Sequence, residues 1–150
     1  MNTLIARIDR VVVPWLQRWS LPLLRIALGV VFVWFGALKV LGVSPVFDLV
    51  GSTVYWVDPD WFVPMLGIVE ILIGIGLMGG WLLRWVLLAF VAQMIGTALV
   101  FVVLPEVAFQ DGNPLKLTVE GEFVVKNLAL LAAGLVVGST IPERQLAGRP

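Results

Sequence analysis

Apolar positions run along this chain in four long blocks, over about 21–41, 61–79, 84–104 and 121–140, with short polar or proline-bearing connections between them. Each block is close to the roughly 20 residues that a helix needs to cross the hydrocarbon core of a bilayer. The pattern predicts an all-α integral membrane protein, with a four-helix transmembrane bundle over 21–140. Ahead of the first block, Leu4, Ile8, Val12 and Trp15 recur at helical spacing, while Arg7, Arg10 and Arg18 fall mostly on other faces. This predicts a short interfacial amphipathic helix over 1–20. A plain positive flank that sets topology reads the same residues equally well. A signal peptide would also start with basic residues, but the apolar run here exceeds the usual h-region of about 7–15 residues, and no small-x-small site closes it. It is read as a retained span.

The breakers fall between the blocks. Asp58-Pro59-Asp60 offers an N-cap, a proline at the first helical position and a negative charge at the positive end of the second span. Gly79-Gly80 ends that span, and Pro105 and Pro142 close the third and fourth. Residues 105–120 form the longest connection, and the weak alternation of LKLTVE leaves room for a short hairpin there. Six tryptophans (Trp15, Trp19, Trp56, Trp61, Trp81 and Trp85) lie near span ends, where indole rings favour the headgroup zone. Trp34 alone sits inside a span.

Basic residues are distributed unevenly. Arg7, Arg10, Arg18 and Arg25 precede or open the first span, Arg84 lies between the second and third, and Arg144 and Arg149 follow the fourth. The other two connections hold Lys116 among Asp48, Asp58, Asp60, Glu106 and Asp111. The positive-inside rule then expects both termini, including a tail over 141–150, to be cytoplasmic and the protein to lie in the inner membrane.

Composition narrows the chemistry. The chain of 150 residues is 60% hydrophobic, with no cysteine and no histidine. Disulfides, thiol redox chemistry, histidine-ligated haem, iron–sulfur clusters and the usual zinc sites are therefore excluded. A formal net charge of zero gives no reason to expect nucleic acid. No metal site and no intrinsic cofactor are expected.

The informative residues are the charges inside spans, which cost on the order of 2.5–3.5 kcal/mol each on insertion scales and usually face the bundle interior. These are Arg25, Lys39, Glu70, Glu122 and Lys126, joined by the neutral Gln93 and Asn127. At ~1.5 Å per residue, Lys39 lies roughly 21 Å from Arg25 along the first helix. By the same measure, Lys39, Glu122 and Lys126 lie in the outer half of the bundle, with Glu70 and Gln93 below them. Arg25, Gly29, Phe32, Gly36 and Lys39 share one stripe of the first span; Gly67, Glu70 and Gly74 share one on the second; Ala89, Gln93 and Gly96 share one on the third; and Glu122, Lys126, Ala129 and Ala133 share one on the fourth, each expected to face inward. Small residues beside polar ones let membrane helices approach closely, so Gly29, Gly36, Gly67, Gly74 and Gly96 are read as packing positions. Two readings of the polar layer stay open: an architectural set of ion pairs, or the floor of a pocket.

With these residues in view, the chain resembles the DoxX family. The resemblance rests on LLRIALGVVFVWFGALKVLG in the first span, GIVEILIGIGLMGG in the second and EGEFVVKNLALLAAGLVVGS in the last, over roughly 20–140. It implies a four-helix inner-membrane bundle and associations with oxidative stress and quinone-linked oxidoreductase complexes. Arg25, Gly36, Lys39, Glu70 and Lys126 carry over onto the family pattern. Where relatives often have a histidine before the glycine of the first helix, this chain has Phe35, which weakens the expectation of proton-coupled quinone chemistry.

Three functions follow as expectations. The first is a membrane subunit that binds a quinone or similar isoprenoid over the polar layer and supports a redox complex. Arg25, Lys39, Glu70, Gln93, Glu122, Lys126 and Asn127 would then form the layer, with Trp34 or Phe35 stacking on the headgroup. A bound quinone would be its only cofactor, and its partners would be the bilayer, a redox or membrane protein, and room for a homodimer. The second is a non-catalytic scaffold or assembly factor. The third is a small proton-coupled transporter, for which Glu70 is the main argument. No catalytic constellation marks the chain as an enzyme by itself.

Overall fold

The computed structural model describes residues 2–141, with side chains from Ile8 onward. Among the described residues seven α-helices follow in order: α1 (Asn2–Val40), α2 (Phe47–Thr53), α3 (Pro59–Gly79), α4 (Leu83–Ala98), α5 (Val100–Val103), α6 (Pro105–Ala108) and α7 (Val119–Gly138), with a 3-10 turn at Gln110–Gly112 before the last. Four stretches are long and apolar enough to cross a membrane: Ile8–Val40, Pro59–Gly79, Leu83–Val103 and Val119–Gly138. They form a ring in which α1 packs on α3, α3 on α4, α4 on α7 and α7 on α1. Large apolar side chains such as Leu72, Leu88, Ile95, Leu128 and Leu135 point outward. That is the surface of a bundle solvated by lipid. The chain is an integral membrane four-helix bundle.

The expected surface helix over 1–20 is not a separate element. The backbone stays helical from Asn2 to Val40, through Pro14 and Pro22. A proline inside a helix removes one backbone bond and bends the helix without ending it. No glycine lies between Asn2 and Arg25 to stop it. At ~1.5 Å per residue α1 is nearly twice as long as the hydrocarbon core is thick. The tail expected over 141–150, with Pro142, Arg144 and Arg149, lies outside the described residues apart from Ile141, and so do the side chains of Leu4 and Arg7.

The helix ends follow their local chemistry. Asp58 caps α3, its Oδ1 accepting from the Asp60 N–H at 3.0 Å, with Pro59 in the first helical position. The other end of α3 stops at Gly80, whose φ of 71° suits glycine. Thr118 caps α7: its hydroxyl accepts from the Gly121 N–H at 3.0 Å and donates to the Val107 carbonyl. The hairpin allowed for in LKLTVE reduces to one antiparallel bridge between Phe109 and Leu117.

The tightest contact is between α1 and α3. A Cβ placed on Gly36 would stand 2.5 Å from the Gly67 carbonyl oxygen, and one on Gly67 would stand 2.6 Å from that of Gly36. Gly29 and Gly74 repeat the arrangement one heptad away, each with 2.6 Å to the other's carbonyl oxygen. Two antiparallel helices thus touch backbone to backbone at two levels. Next to this seam lies the larger core cluster, formed by Leu28, Phe32, Ile73, Leu77, Phe90, Met94 and Val137. Phe32 and Phe90 meet across the ring with centroids 5.1 Å apart. A smaller cluster of Val100, Ala108 and Val124 sits at the α2 end. Between the two clusters the bundle is open.

Candidate functional site

Lys39 lies in the last turn of α1. Helical side chains tilt toward their own N-terminus, so its stem runs back into the bundle. Glu70, on the antiparallel α3, tilts the opposite way, and the two heads converge. Lys39 Nζ donates to Glu70 Oε2 at 2.7 Å. The residues are 5% and 7% exposed, so both charges have left solvent. The glycines permit this: a Cβ on Gly67 would stand 2.8 Å from the Lys39 Cβ, and one on Gly36 would stand 3.0 Å from the Glu70 Cβ.

The second carboxylate oxygen is also engaged. Gln93 of α4 donates from Nε2 to Glu70 Oε1 at 2.8 Å. One turn on, the Thr97 hydroxyl donates to the Gln93 backbone carbonyl at 3.0 Å. Glu70 thus ties α1, α3 and α4 at one level. A carboxylate with both oxygens bonded, one of them to an ammonium group, is the arrangement that makes burial of two charges tolerable.

This trio forms the floor of a cavity of about 490 Å³ at the α2 end, within the usual range of small-molecule sites. Phe35 of α1, Leu66 of α3 and Met94 of α4 stand in its walls. The short helix α2 contributes Leu49, Val50 and Thr53, and α7 contributes Phe123, Lys126 and Asn127. The lining is apolar except for the floor, Ser44, Thr53, Thr97, Lys126 and Asn127.

Several expected site residues lie elsewhere. Arg25 shares the stripe of Lys39 but is 14 residues away along α1, at the opposite end of the bundle. There its guanidinium donates to the Leu77 and Met78 carbonyls at 3.0 and 3.2 Å, capping the C-terminus of α3. Gly80 makes room for it, since a Cβ there would stand 2.6 Å from a guanidinium nitrogen. Trp34 is 66% exposed and does not line the cavity. Two residues from Gly36 is roughly 200° of helix rotation, so Trp34 faces away, and the aromatic rings of α1 in the cavity wall are those of Phe32 and Phe35. Glu122 pairs with Lys126 at 3.4 Å, with side chains 59% and 75% exposed. The expected layer of four charges therefore divides into one buried pair between helices and one exposed pair along α7. Gly96 packs against nothing, because a Cβ there would meet no atom within 4 Å; it lines the cavity instead.

Other residues carry no obvious sign in the sequence. Gly121 and Gly134 are the close-packing glycines of α7, set against the Ala108 carbonyl and the Phe90 ring. The cavity wall formed by α2 comes from a segment that reads as a connection. Asp48 in its first turn was the one local hint of a helix start.

Fold and site together define a polytopic membrane protein with one buried charge cluster beneath an apolar cavity. A family model described as DoxX matches residues 20–103, and the chain belongs to the DoxX family. The match covers Arg25, the four seam glycines, Lys39, Glu70 and Gln93. It ends before α7, short of the 20–140 over which the resemblance was expected. No curated protein and no solved structure matches the chain at a significant level.

Proposed function

We propose that this chain is a membrane subunit that holds an uncharged, single-chain amphiphile of the isoprenoid class, such as a quinone, with its headgroup on the Lys39–Glu70–Gln93 floor. The observation that carries this reading is the cavity itself: about 490 Å³, apolar in its walls, with a charge-balanced floor drawn from three helices. The donor set fits a carbonyl headgroup, since Lys39 has three N–H donors and Gln93 two, and Glu70 engages one of each. An anionic head would compete with Glu70 for Lys39 and strand a carboxylate; a cationic head would do the reverse. The aromatic walls, Phe35 among them, suit a flat ring. A bound quinone would supply the redox chemistry that a chain without cysteine or histidine lacks. A partner oxidoreductase is part of this reading, and the distribution of arginines supports an inner-membrane protein with cytoplasmic termini.

The scaffold reading has one observation in its favour. Among the described residues no buried side-chain nitrogen or oxygen lacks a hydrogen-bond partner, so each buried polar atom of the floor has at least one partner without a ligand.

Native mass spectrometry with lipid extraction separates the two. The informative variant is Gly96→Phe, which adds bulk to the cavity without replacing a residue of the floor. The proposed reading expects the wild type to retain a stoichiometric neutral isoprenoid that Gly96→Phe and Lys39→Ala both lose. Bulk phospholipid alone, equal in all three proteins, would leave the scaffold reading standing.

A further inference from the structure

A second cleft, of about 560 Å³, lies beside the cavity at the α2 end. Its outer side carries Asp48 and Ser52 of α2 and Glu120 of α7, all exposed. Its inner side is apolar, with the half-buried Leu104 and Val107, while Val119 is exposed on the rim beside Glu120. The cleft and the cavity share Pro45, Val46, Leu49 and Phe123, so the two spaces have one wall in common. Resting on the ligand reading above, we infer that this cleft is the entrance vestibule of the cavity and that Phe123 is the side chain that closes it.

The four wall residues are not equally held. Pro45 and Val46 belong to the chain between α1 and α2. Leu49 packs on the Val100–Ala108–Val124 cluster, and its carbonyl accepts from the Thr53 hydroxyl at 2.6 Å. Phe123 is a single ring, 37% exposed, near the start of α7. It is steadied by an edge-on contact with Phe35, itself 37% exposed, at a centroid distance of 6.1 Å and an interplanar angle of 87°. The backbone beneath it is fixed, because the Thr118 cap and the contact of Gly121 with the Ala108 carbonyl anchor the first turn of α7. The wall therefore opens at lowest cost by rotation of one aromatic side chain about its own torsions, with no helix displaced. The cleft grades from polar rim to apolar interior, which matches an amphiphile arriving from the headgroup zone of the bilayer. A competing route lies at Gly96 and Leu99, which are exposed and also line the cavity from α4 and the residue after it.

The test is an exchange measurement in phosphatidylcholine nanodiscs. Protein is loaded with decyl-ubiquinone and chased with its deuterated form, and the bound mass is followed by native mass spectrometry. Phe123→Ala should both load and release on the order of tenfold faster, since a barrier alters the two rates together, whereas loss of a wall contact alone would speed release and leave loading unchanged. Phe123→Leu, which shortens the closing side chain but keeps an apolar group there, should give a smaller acceleration of both steps and serves if Phe123→Ala misfolds. Leu99→Ala should exchange at the wild-type rate. Acceleration in Leu99→Ala alone would move the entrance to the α4 face and overturn the assignment, as would wild-type rates in all three variants. Wild-type protein that holds no decyl-ubiquinone would overturn the ligand reading itself, and this inference with it.

Discussion

The chain contains two lysine–glutamate pairs in the same half of the bundle, and they differ in nearly every physical respect. Lys39 and Glu70 come from different helices, stand 2.7 Å apart and are buried. Lys126 and Glu122 lie one turn apart on α7, 3.4 Å from each other, with most of both side chains exposed. The first pair cannot return to water if broken; the second exchanges its partner for solvent or lipid headgroups at little cost. The energetic weight of an ion pair therefore follows from its surroundings and from its third partner, here Gln93. The residue types are identical.

The comparison is tested most severely by Glu70→Ala. It leaves the Lys39 ammonium buried and unpaired, and a loss of about 3–5 kcal/mol is expected, read as a lowered unfolding midpoint in detergent. A loss below that of Glu122→Ala would break the comparison. The double variant Lys39→Met with Glu70→Met sharpens it, because it removes both charges at similar volume. Most of the stability should return in that protein while retention of the bound amphiphile does not.

Next in size is Gly36→Leu. The added side chain meets the Gly67 backbone, which cannot yield as a side-chain end would, so a loss of about 1–3 kcal/mol or more is expected in the same assay. Gly96→Leu is the opposite case in an equally apolar sequence context. It enters open space and replaces glycine within a helix, so a gain approaching ~1 kcal/mol is expected together with loss of the ligand. A destabilised Gly96→Leu would mean that the cavity is closed in the membrane. The smallest effect is that of Glu122→Ala, about 0.5 kcal/mol or less and reduced further by salt.

What could be read in advance divides along the same physical line. The four spans, the Asp58 cap, the stop at Gly79-Gly80 and the reading of Gly36 and Gly67 as packing positions were legible, because each rests on neighbours within one or two turns of the same helix. Lys39 and Glu70 were legible as interior residues, because lipid leaves them nowhere else to go, whereas Glu122 and Lys126 share their residue types and yet are exposed at the start of α7. Residues assigned by shared depth or shared stripe fared less well. Arg25 keeps the stripe but serves a helix end, Trp34 keeps the depth but faces outward, and Gly96 keeps the composition of a packing site while facing a void. Each of these needs the rotation of one helix against another, which no single helix encodes.

By itself, then, the sequence determined that this is a four-span membrane bundle with buried charge. Hydrophobic length, helix caps and the cost of a charge in hydrocarbon are all local quantities. Only the tertiary structure decided that Glu70 takes Lys39 and Gln93 as partners and that α2 walls a cavity over the buried trio, with the exposed Lys126 at its edge. Those outcomes depend on how four helices sit against one another. That arrangement is set by the glycine seam between α1 and α3 together with side chains contributed from every part of the chain.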